Sequence, residues 1–109
     1  MTSHLSTHVL DAALGTPAEG VVVLLGSADG TTIDQGVTDA DGRIGEIGPE
    51  RLAPGVYHLA FNTANYFAVT HRSTFYPSVT VTFEVAPGQE HYHVPLLLSP
   101  HAYTTYRGS

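Results

Sequence analysis

Seven of the 109 residues are histidines, and their spacing is the first sign of chemistry in this sequence. His91 and His93 are two residues apart in a predicted strand, so both side chains leave the same face. Together with His8 from the first predicted strand, they would suffice for a three-histidine zinc site. Pairs at this spacing also occur by chance, so the zinc site is one hypothesis among others. The remaining histidines are interpreted as partly exposed strand residues: His4, His58, His71 and His101.

Composition excludes several other kinds of site and partner. The chain has no cysteine, which rules out disulfides, thiolate metal sites and cysteine nucleophiles. Ten acidic residues outnumber four arginines and there is no lysine, and the net charge of -6 argues against binding nucleic acid or anionic membranes. The longest aliphatic run, 21–25, is far shorter than the ~20 residues of a membrane span. Residues 1–5 have neither a basic nor an apolar signal segment, so a cytoplasmic location is expected.

Short strands must position the histidines. Threonine and valine, whose branched Cβ atoms favour pleated strands, recur between turn signals from eleven glycines and seven prolines. The clearest strand is 79–85, where apolar residues alternate with threonine and glutamate. Strands are predicted at 4–10, 21–25, 31–38, 43–47, 56–61, 79–85, 92–98 and 102–107, and the one at 21–25 is expected to be buried. In the first strand, His4, Ser6, His8 and Leu10 share one face.

One segment, 62–71, has the periodicity of a helix instead of a strand. Four residues in it recur at i, i+3, i+4 and i+7, which predicts a short helix with Asn62 or Thr63 as its N-cap. These four residues are Ala64, Phe67, Ala68 and His71.

Seven or eight short strands separated by frequent turns, with this one helix, indicate an all-β sandwich. The length predicts a single domain spanning 1–109.

The two ends of the chain and a central turn carry specific motifs. They are Leu-Ser-Thr-His-Val-Leu-Asp at 5–11, Gly-Thr-Pro-Ala at 15–18, Thr-Asp-Ala-Asp-Gly-Arg at 38–43, Tyr-Phe at 66–67, Phe-Tyr-Pro at 75–77, His-Tyr-His-Val-Pro-Leu-Leu-Leu-Ser-Pro at 91–100 and Tyr-Arg-Gly-Ser at 106–109. With these motifs nearly the whole chain resembles the 5-hydroxyisourate hydrolases, the transthyretin-related enzymes of urate breakdown. The resemblance implies a transthyretin-like (prealbumin-like) β-sandwich. Transthyretin itself, a hormone carrier, shares that fold and lacks the Tyr-Arg-Gly-Ser ending.

The resemblance also implies a reaction and a set of site residues. Enzymes of this family open the six-membered ring of 5-hydroxyisourate by adding water across a ring amide, which yields 2-oxo-4-hydroxy-4-carboxy-5-ureidoimidazoline. His8 and His93 take catalytic and substrate-binding positions, and Arg43 binds the substrate. Ser109 takes part in catalysis and binding, and Tyr106 in binding. His91 lies outside this set, and the implied reaction uses neither a metal nor another cofactor.

The resemblance further implies a homotetramer, with active sites where two dimers face each other. In that assembly Tyr106 and Arg107 pack against the neighbouring subunit, and Gly108 lets the backbone bend so that Ser109 reaches the site. Two alternatives stay open at this point. One is a non-catalytic β-sandwich module that binds a small molecule or a protein, and the other is a zinc hydrolase that uses the three histidines described first.

Overall fold

The computed structural model describes residues 4–88 and 91–108, and the strands in these residues form two β-sheets. The strands are β1 (Leu5–Asp11), β2 (Thr16–Pro17), β3 (Val22–Ser27), β4 (Thr32–Val37), β5 (Arg43–Ile44), β6 (Gly55–Phe61), β7 (Val79–Val85), β8 (Tyr92–Ser99) and β9 (Ala102–Thr105). One helix, α1 (Thr63–Val69), connects β6 to β7. The predicted all-β sandwich with one short helix is confirmed. The predicted strand at 43–47 shrinks to two residues, and β2 lies where a loop was expected.

The first sheet has the strand order β2-β1-β8-β9, and β5 pairs with β1 as well. β1 runs parallel to β8 and antiparallel to β5. Alternate residues of β1 point into the core, and the residues between them lie half-buried on the outer face of the sheet. These outward residues are Ser6, His8 and Leu10. This alternation turns part of the predicted histidine face towards the outside of the sandwich.

The second sheet has the order β4-β3-β6-β7, with every neighbouring pair antiparallel. Its inward side chains and those of the first sheet form the core, which includes Val9, Val23, Leu25, Leu59, Phe61, Val81, Leu96 and Leu98. The predicted burial of the whole segment 21–25 is wrong, because Leu24 is 37% exposed. In an antiparallel sheet with one solvated face, only alternate residues reach the core.

The helix begins after Asn62, whose side chain accepts a hydrogen bond from the backbone N–H of Asn65. Its buried residues are Thr63, Tyr66 and Phe67, whereas three of the four residues predicted to share a face, Ala64, Ala68 and His71, are exposed. The two large aromatic rings determine which side of the helix packs on the sandwich, because they bury much more apolar area than alanine. With seven residues, α1 is too short to cross a membrane, and no other helix of the described segments could do so.

A buried carboxylate ties the chain after the helix to β1. Asp11 Oδ2 accepts hydrogen bonds from Arg72 Nη2 at 2.5 Å and from the Tyr66 hydroxyl at 2.7 Å. Burial raises the pKa of Asp11, but the hydrogen bonds from Arg72, the Leu14 backbone and Tyr66 outweigh it and hold that pKa below its usual range. Burial and the Asp11 carboxylate raise the pKa of Tyr66 to about 12. Arg72 thus has a structural partner in the core.

His4 does not share the strand face that was predicted for it. Its side chain is 2% exposed and lies just before β1, where Nδ1 accepts a hydrogen bond of 2.8 Å from the backbone N–H of Leu52. The ring also packs edge-on against Tyr92, with centroids 5.4 Å apart. The alternation of β1 does not extend to this residue, because the strand begins at Leu5. The prediction that His4 is partly exposed and shares a face with His8 is therefore wrong.

Candidate active site

Strand pairing brings four polar side chains together on the outer face of the first sheet. In the parallel pair of β1 and β8, Ser6 lies directly beside His93. In the antiparallel pair of β1 and β5, His8 lies directly opposite Arg43. Residues paired in this way project from the same face of a sheet. Ser6 and His8 are two residues apart in β1, so both pairs share the outer face.

A cleft of about 280 Å³ opens at this face. Its lining is mainly polar and consists of Ser6, Thr7, Arg43, Ile44, Gly45, His91 and His93. His8 is not among the lining residues, but it lies directly opposite Arg43 and close enough to His93 for its charge to lower the pKa of that imidazole. The cleft therefore combines a guanidinium, imidazoles and a hydroxyl, which can bind a polar planar molecule and transfer protons to and from it.

A tight turn fixes the backbone of Arg43. The Asp39 carboxylate accepts hydrogen bonds of 2.9 Å from the backbone N–H groups of Asp41 and Arg43. Gly42 has a φ of 76°, and a Cβ at this position would lie 2.3 Å from the carbonyl oxygen of Val9. Only glycine permits this approach without displacing the backbone. The predicted Asp-Gly turn is thus packed against β1, with Arg43 entering β5 beside His8.

The same turn sets the proton position on His8. Its Nε2 lies 3.0 Å from the carbonyl oxygen of Asp41. A carbonyl oxygen only accepts hydrogen bonds, so Nε2 carries a proton and donates it. The other ring nitrogen, Nδ1, is then the one available to a substrate.

His93 is half-buried and surrounded by basic groups. Burial lowers the pKa of its imidazole, and the positive charge of Arg43 and the nearby His8 and His91 lower it further, while Ser6 opposes the shift. Ser6 Oγ forms hydrogen bonds with His93 Nδ1 at 2.8 Å and with His91 Nε2 at 2.9 Å. The imidazole of His93 is therefore neutral around pH 7, which is the form that can accept a proton.

The C-terminal segment closes over His93. The backbone N–H of Gly108 donates a hydrogen bond of 2.8 Å to the carbonyl oxygen of His93. A Cβ on Gly108 would lie 2.5 Å from Cδ2 of the imidazole, so the backbone rests directly on the ring. The guanidinium of Arg107 lies 4.7 Å from the centre of the Tyr92 ring of its own chain. Arg107 thus packs on Tyr92 within its own subunit, and its packing against a neighbouring subunit stays a prediction. Ser109 lies outside the described residues.

A comparison of the sequence with known protein families agrees with the fold and with these motifs. The model of the HIUase/Transthyretin family matches residues 5–108. The chain belongs to this family.

Relatives within the HIUase/Transthyretin family include 5-hydroxyisourate hydrolases and a transthyretin. The 5-hydroxyisourate hydrolase of Salmonella dublin is 47% identical, over 96% of this chain and 80% of that protein. The solved structure of the Klebsiella pneumoniae 5-hydroxyisourate hydrolase has a TM-score of 0.90 at 40% identity, over 98% of this chain and 100% of that chain. Sea bream transthyretin, solved with thyroxine, has a TM-score of 0.87 at 39% identity, over 96% and 94%. The fold alone therefore does not distinguish a hydrolase from a transthyretin within the family.

Tyr106 lies apart from the other positions that the family resemblance assigns to the site. Its side chain is 55% exposed and lines a second cleft of about 310 Å³, between the edges of the two sheets. Arg107, Tyr92 and Phe83 border the same cleft. A single chain therefore assembles His8, Arg43 and His93 but places Tyr106 elsewhere.

The arrangement of the histidines differs from a three-histidine metal site. Within residues 4–88 and 91–108, no three histidine, aspartate or glutamate side chains are grouped closely enough to hold a metal ion. The Ser6 hydroxyl hydrogen-bonds to both His91 and His93.

Two residues of the cleft were missed by the motif comparison. His91 was left outside the site, and Ser6 was named only as one of four residues that share a face of the first strand. The available signal for Ser6 was its position two residues before His8, which places both side chains on one face of the strand. This signal identifies a site residue only if β1 is known to pair in parallel with β8. Residues 85 positions apart in the sequence give no local sign of that register.

Proposed function

We propose that the protein hydrolyses 5-hydroxyisourate, opening its six-membered ring to give 2-oxo-4-hydroxy-4-carboxy-5-ureidoimidazoline, as a step of urate breakdown. The observation that carries the proposal is the convergence of His8, Arg43 and His93 at one cleft. These are the positions that the motifs assign to catalysis and substrate binding. The 47% identity to a 5-hydroxyisourate hydrolase supports the same substrate.

The reaction requires three tasks, and each has a suitable group. Water must lose a proton, and the neutral imidazole of His93 accepts it. The carbonyl oxygen becomes negatively charged, and the planar guanidinium of Arg43 stabilises it with a fork of N–H donors. The ring nitrogen must gain a proton, which His8 in its protonated form delivers from Nδ1 while its Nε2–H stays hydrogen-bonded to the Asp41 carbonyl. The chain has no cysteine, and direct attack by water accounts for the reaction without a covalent intermediate.

Identification of the product tests this assignment. Carbon-13-labelled 5-hydroxyisourate, generated in situ and mixed with the protein, is expected to give the signals of a newly formed carboxylate before the spontaneous reaction has advanced. The matched control is the same mixture without protein. Identical product build-up in both samples would contradict the proposal.

A carrier function is the second candidate, because sea bream transthyretin has nearly the same fold and was solved with thyroxine. The Tyr-Arg-Gly-Ser ending, which transthyretin lacks, favours the hydrolase. The contact of Gly108 with the His93 ring gives that ending a physical role at the cleft.

The pH dependence of kcat/KM should report the lowered pKa of His93. The base form is lost as His93 is protonated, so activity is expected to fall on the acid side, with an apparent pKa below the ordinary histidine value of 6.5. Folding stability should follow the same sign, because the unfolded chain binds the proton more readily and acid favours it. Rate measurements from pH 5 to 9 test this, and an acid limb above pH 7 would contradict it.

We also expect the activity to be independent of metal. Arg43 is no metal ligand, and His8 and His93 are only two imidazoles, one fewer than a three-histidine zinc site needs. Dialysis against a strong chelator should leave kcat unchanged. A loss of activity that zinc restores would support the three-histidine hypothesis instead.

A homotetramer with active sites between dimers is part of the proposal. Exposed apolar side chains support such an assembly, because contact with another subunit would remove them from water. Among them are Phe75 (71% exposed), Leu14 (59%) and Tyr103 (41%). Light scattering should give about four times the chain mass of 11.6 kDa. A fully active monomer would contradict a site shared between subunits.

A cytoplasmic location stays a prediction, which fractionation of the source cells would test.

A further inference from the structure

The Ser6 hydroxyl lies between two imidazoles, with Oγ 2.8 Å from His93 Nδ1 and 2.9 Å from His91 Nε2. A hydroxyl has a single proton and two lone pairs, so it donates to at most one of the two rings. When Ser6 donates to one ring, the facing nitrogen of the other ring must carry a proton and donate it to Ser6 Oγ. The two rings and the hydroxyl form one continuous chain of hydrogen bonds.

We propose that Ser6 and His91 are positioning residues that form a proton relay behind His93, holding it as a base and carrying its positive charge to the protein surface. This rests on the proposed function, in which His93 takes the proton of the attacking water. For Nε2 to accept that proton, Nδ1 must carry the other one and donate it to Ser6 Oγ. Ser6 then donates its own proton to His91 Nε2.

The relay moves charge without net loss of a proton. When water gives a proton to His93 Nε2, the Nδ1–H bond of His93 breaks and that proton joins Ser6 Oγ. At the same time the original Ser6 O–H bond breaks, and its proton forms a new N–H bond at His91 Nε2. His93 is again neutral, and His91 has become the imidazolium. The reverse shift through Ser6 returns a proton to His93 Nδ1 as the Nε2 proton passes to water, and this restores the starting state.

The surroundings of the two rings favour this direction of transfer. His93 is half-buried, and it faces Arg43 from β5 and His8 from β1, both of which oppose a positive charge on it. His91 is exposed and lies before β8 begins, where water solvates its charge. Movement of the charge from His93 to His91 therefore takes it from a half-buried ring to an exposed one.

Variants of Ser6 test the relay through activity. Ser6→Ala removes both hydrogen bonds, and kcat should fall by about 10-fold to 100-fold, a part of the 10²–10⁴ that general base catalysis contributes. Ser6→Thr retains a hydroxyl and should recover most of this loss. His91→Gln keeps a polar group that does not titrate, and it should lower kcat with little change in KM. His101→Asn, at an exposed turn residue, is the matched control and should leave kcat unchanged.

Nitrogen-15 NMR of the imidazoles tests the relay without substrate. In the wild-type protein at neutral pH, His93 should carry its proton on Nδ1, and in Ser6→Ala this preference should disappear. A wild-type His93 protonated on Nε2 would overturn the relay, as would an unchanged kcat in Ser6→Ala. If the wild-type protein does not act on 5-hydroxyisourate, the proposed function fails. The relay would then be judged by the NMR result alone.

Discussion

Replacing His93 by asparagine should lower kcat for 5-hydroxyisourate by about two to four orders of magnitude, the usual contribution of a general base. Asparagine occupies a similar volume and can still hydrogen-bond to Ser6, but it cannot accept a proton from water at neutral pH. His8→Asn should have an effect of the same size, because the proton for the ring nitrogen then has no donor. Steady-state kinetics on freshly generated substrate, with circular dichroism to verify the fold, measure both effects.

The control for these variants must be a histidine outside the cleft. The motif comparison left His91 outside the site, but its hydrogen bond to Ser6 makes it unsuitable as a neutral control. His101 lies exposed in the turn between β8 and β9 and serves this purpose. Equal losses in His93→Asn and His101→Asn would mean that the assignment of the base is wrong.

Deletion of residues 106–109 should abolish turnover while leaving most of the fold intact. The described part of this segment, 106–108, follows β9 and is largely exposed, so little core is lost. The deletion removes the hydrogen bond from Gly108 to the His93 backbone and the Arg107 guanidinium over Tyr92. Both contacts hold the start of β8, where the base is located. The expected result is a near-normal melting temperature with no measurable kcat.

Point variants in this segment separate its contributions. Gly108→Ala places a Cβ against the His93 ring, where it would lie 2.5 Å from Cδ2, so the ring or the backbone must move. We expect a loss of kcat of at least about 10-fold, since catalytic groups tolerate little displacement. Ser109→Ala should be milder, because it removes one hydroxyl, worth about 1–3 kcal/mol if its partner is left unsatisfied. A deletion variant with near-normal kcat/KM would show that the ending does not contribute to the chemistry.

Local patterns in the sequence predicted most of the fold. The alternation at 79–85 matches β7, and the strand predicted at 56–61 matches β6. The helix was located correctly, but its buried side was misjudged because the periodicity gave alanine the same weight as aromatic residues. His4 was misplaced because alternation in a strand does not show where the strand begins.

The candidate site could be predicted less completely from such patterns. His8, Arg43 and His93 could be named from motifs, but their proximity depends on the pairing of β1 with both β5 and β8. The contact of Ser6 with two histidines needs that register as well, and a shift of one residue would have placed Ser6 beside a core residue. Long-range register follows from the packing of the whole sandwich, and no short segment contains it.

The rate at which freshly generated 5-hydroxyisourate disappears, followed by its absorbance with and without the wild-type protein, tests the central claim most directly. With catalytic groups at the cleft of His8, Arg43 and His93, the protein should accelerate the decay at least about 100-fold, and His93→Asn should remove most of that acceleration. A decay in the presence of the wild-type protein that is no faster than the spontaneous reaction would contradict the account.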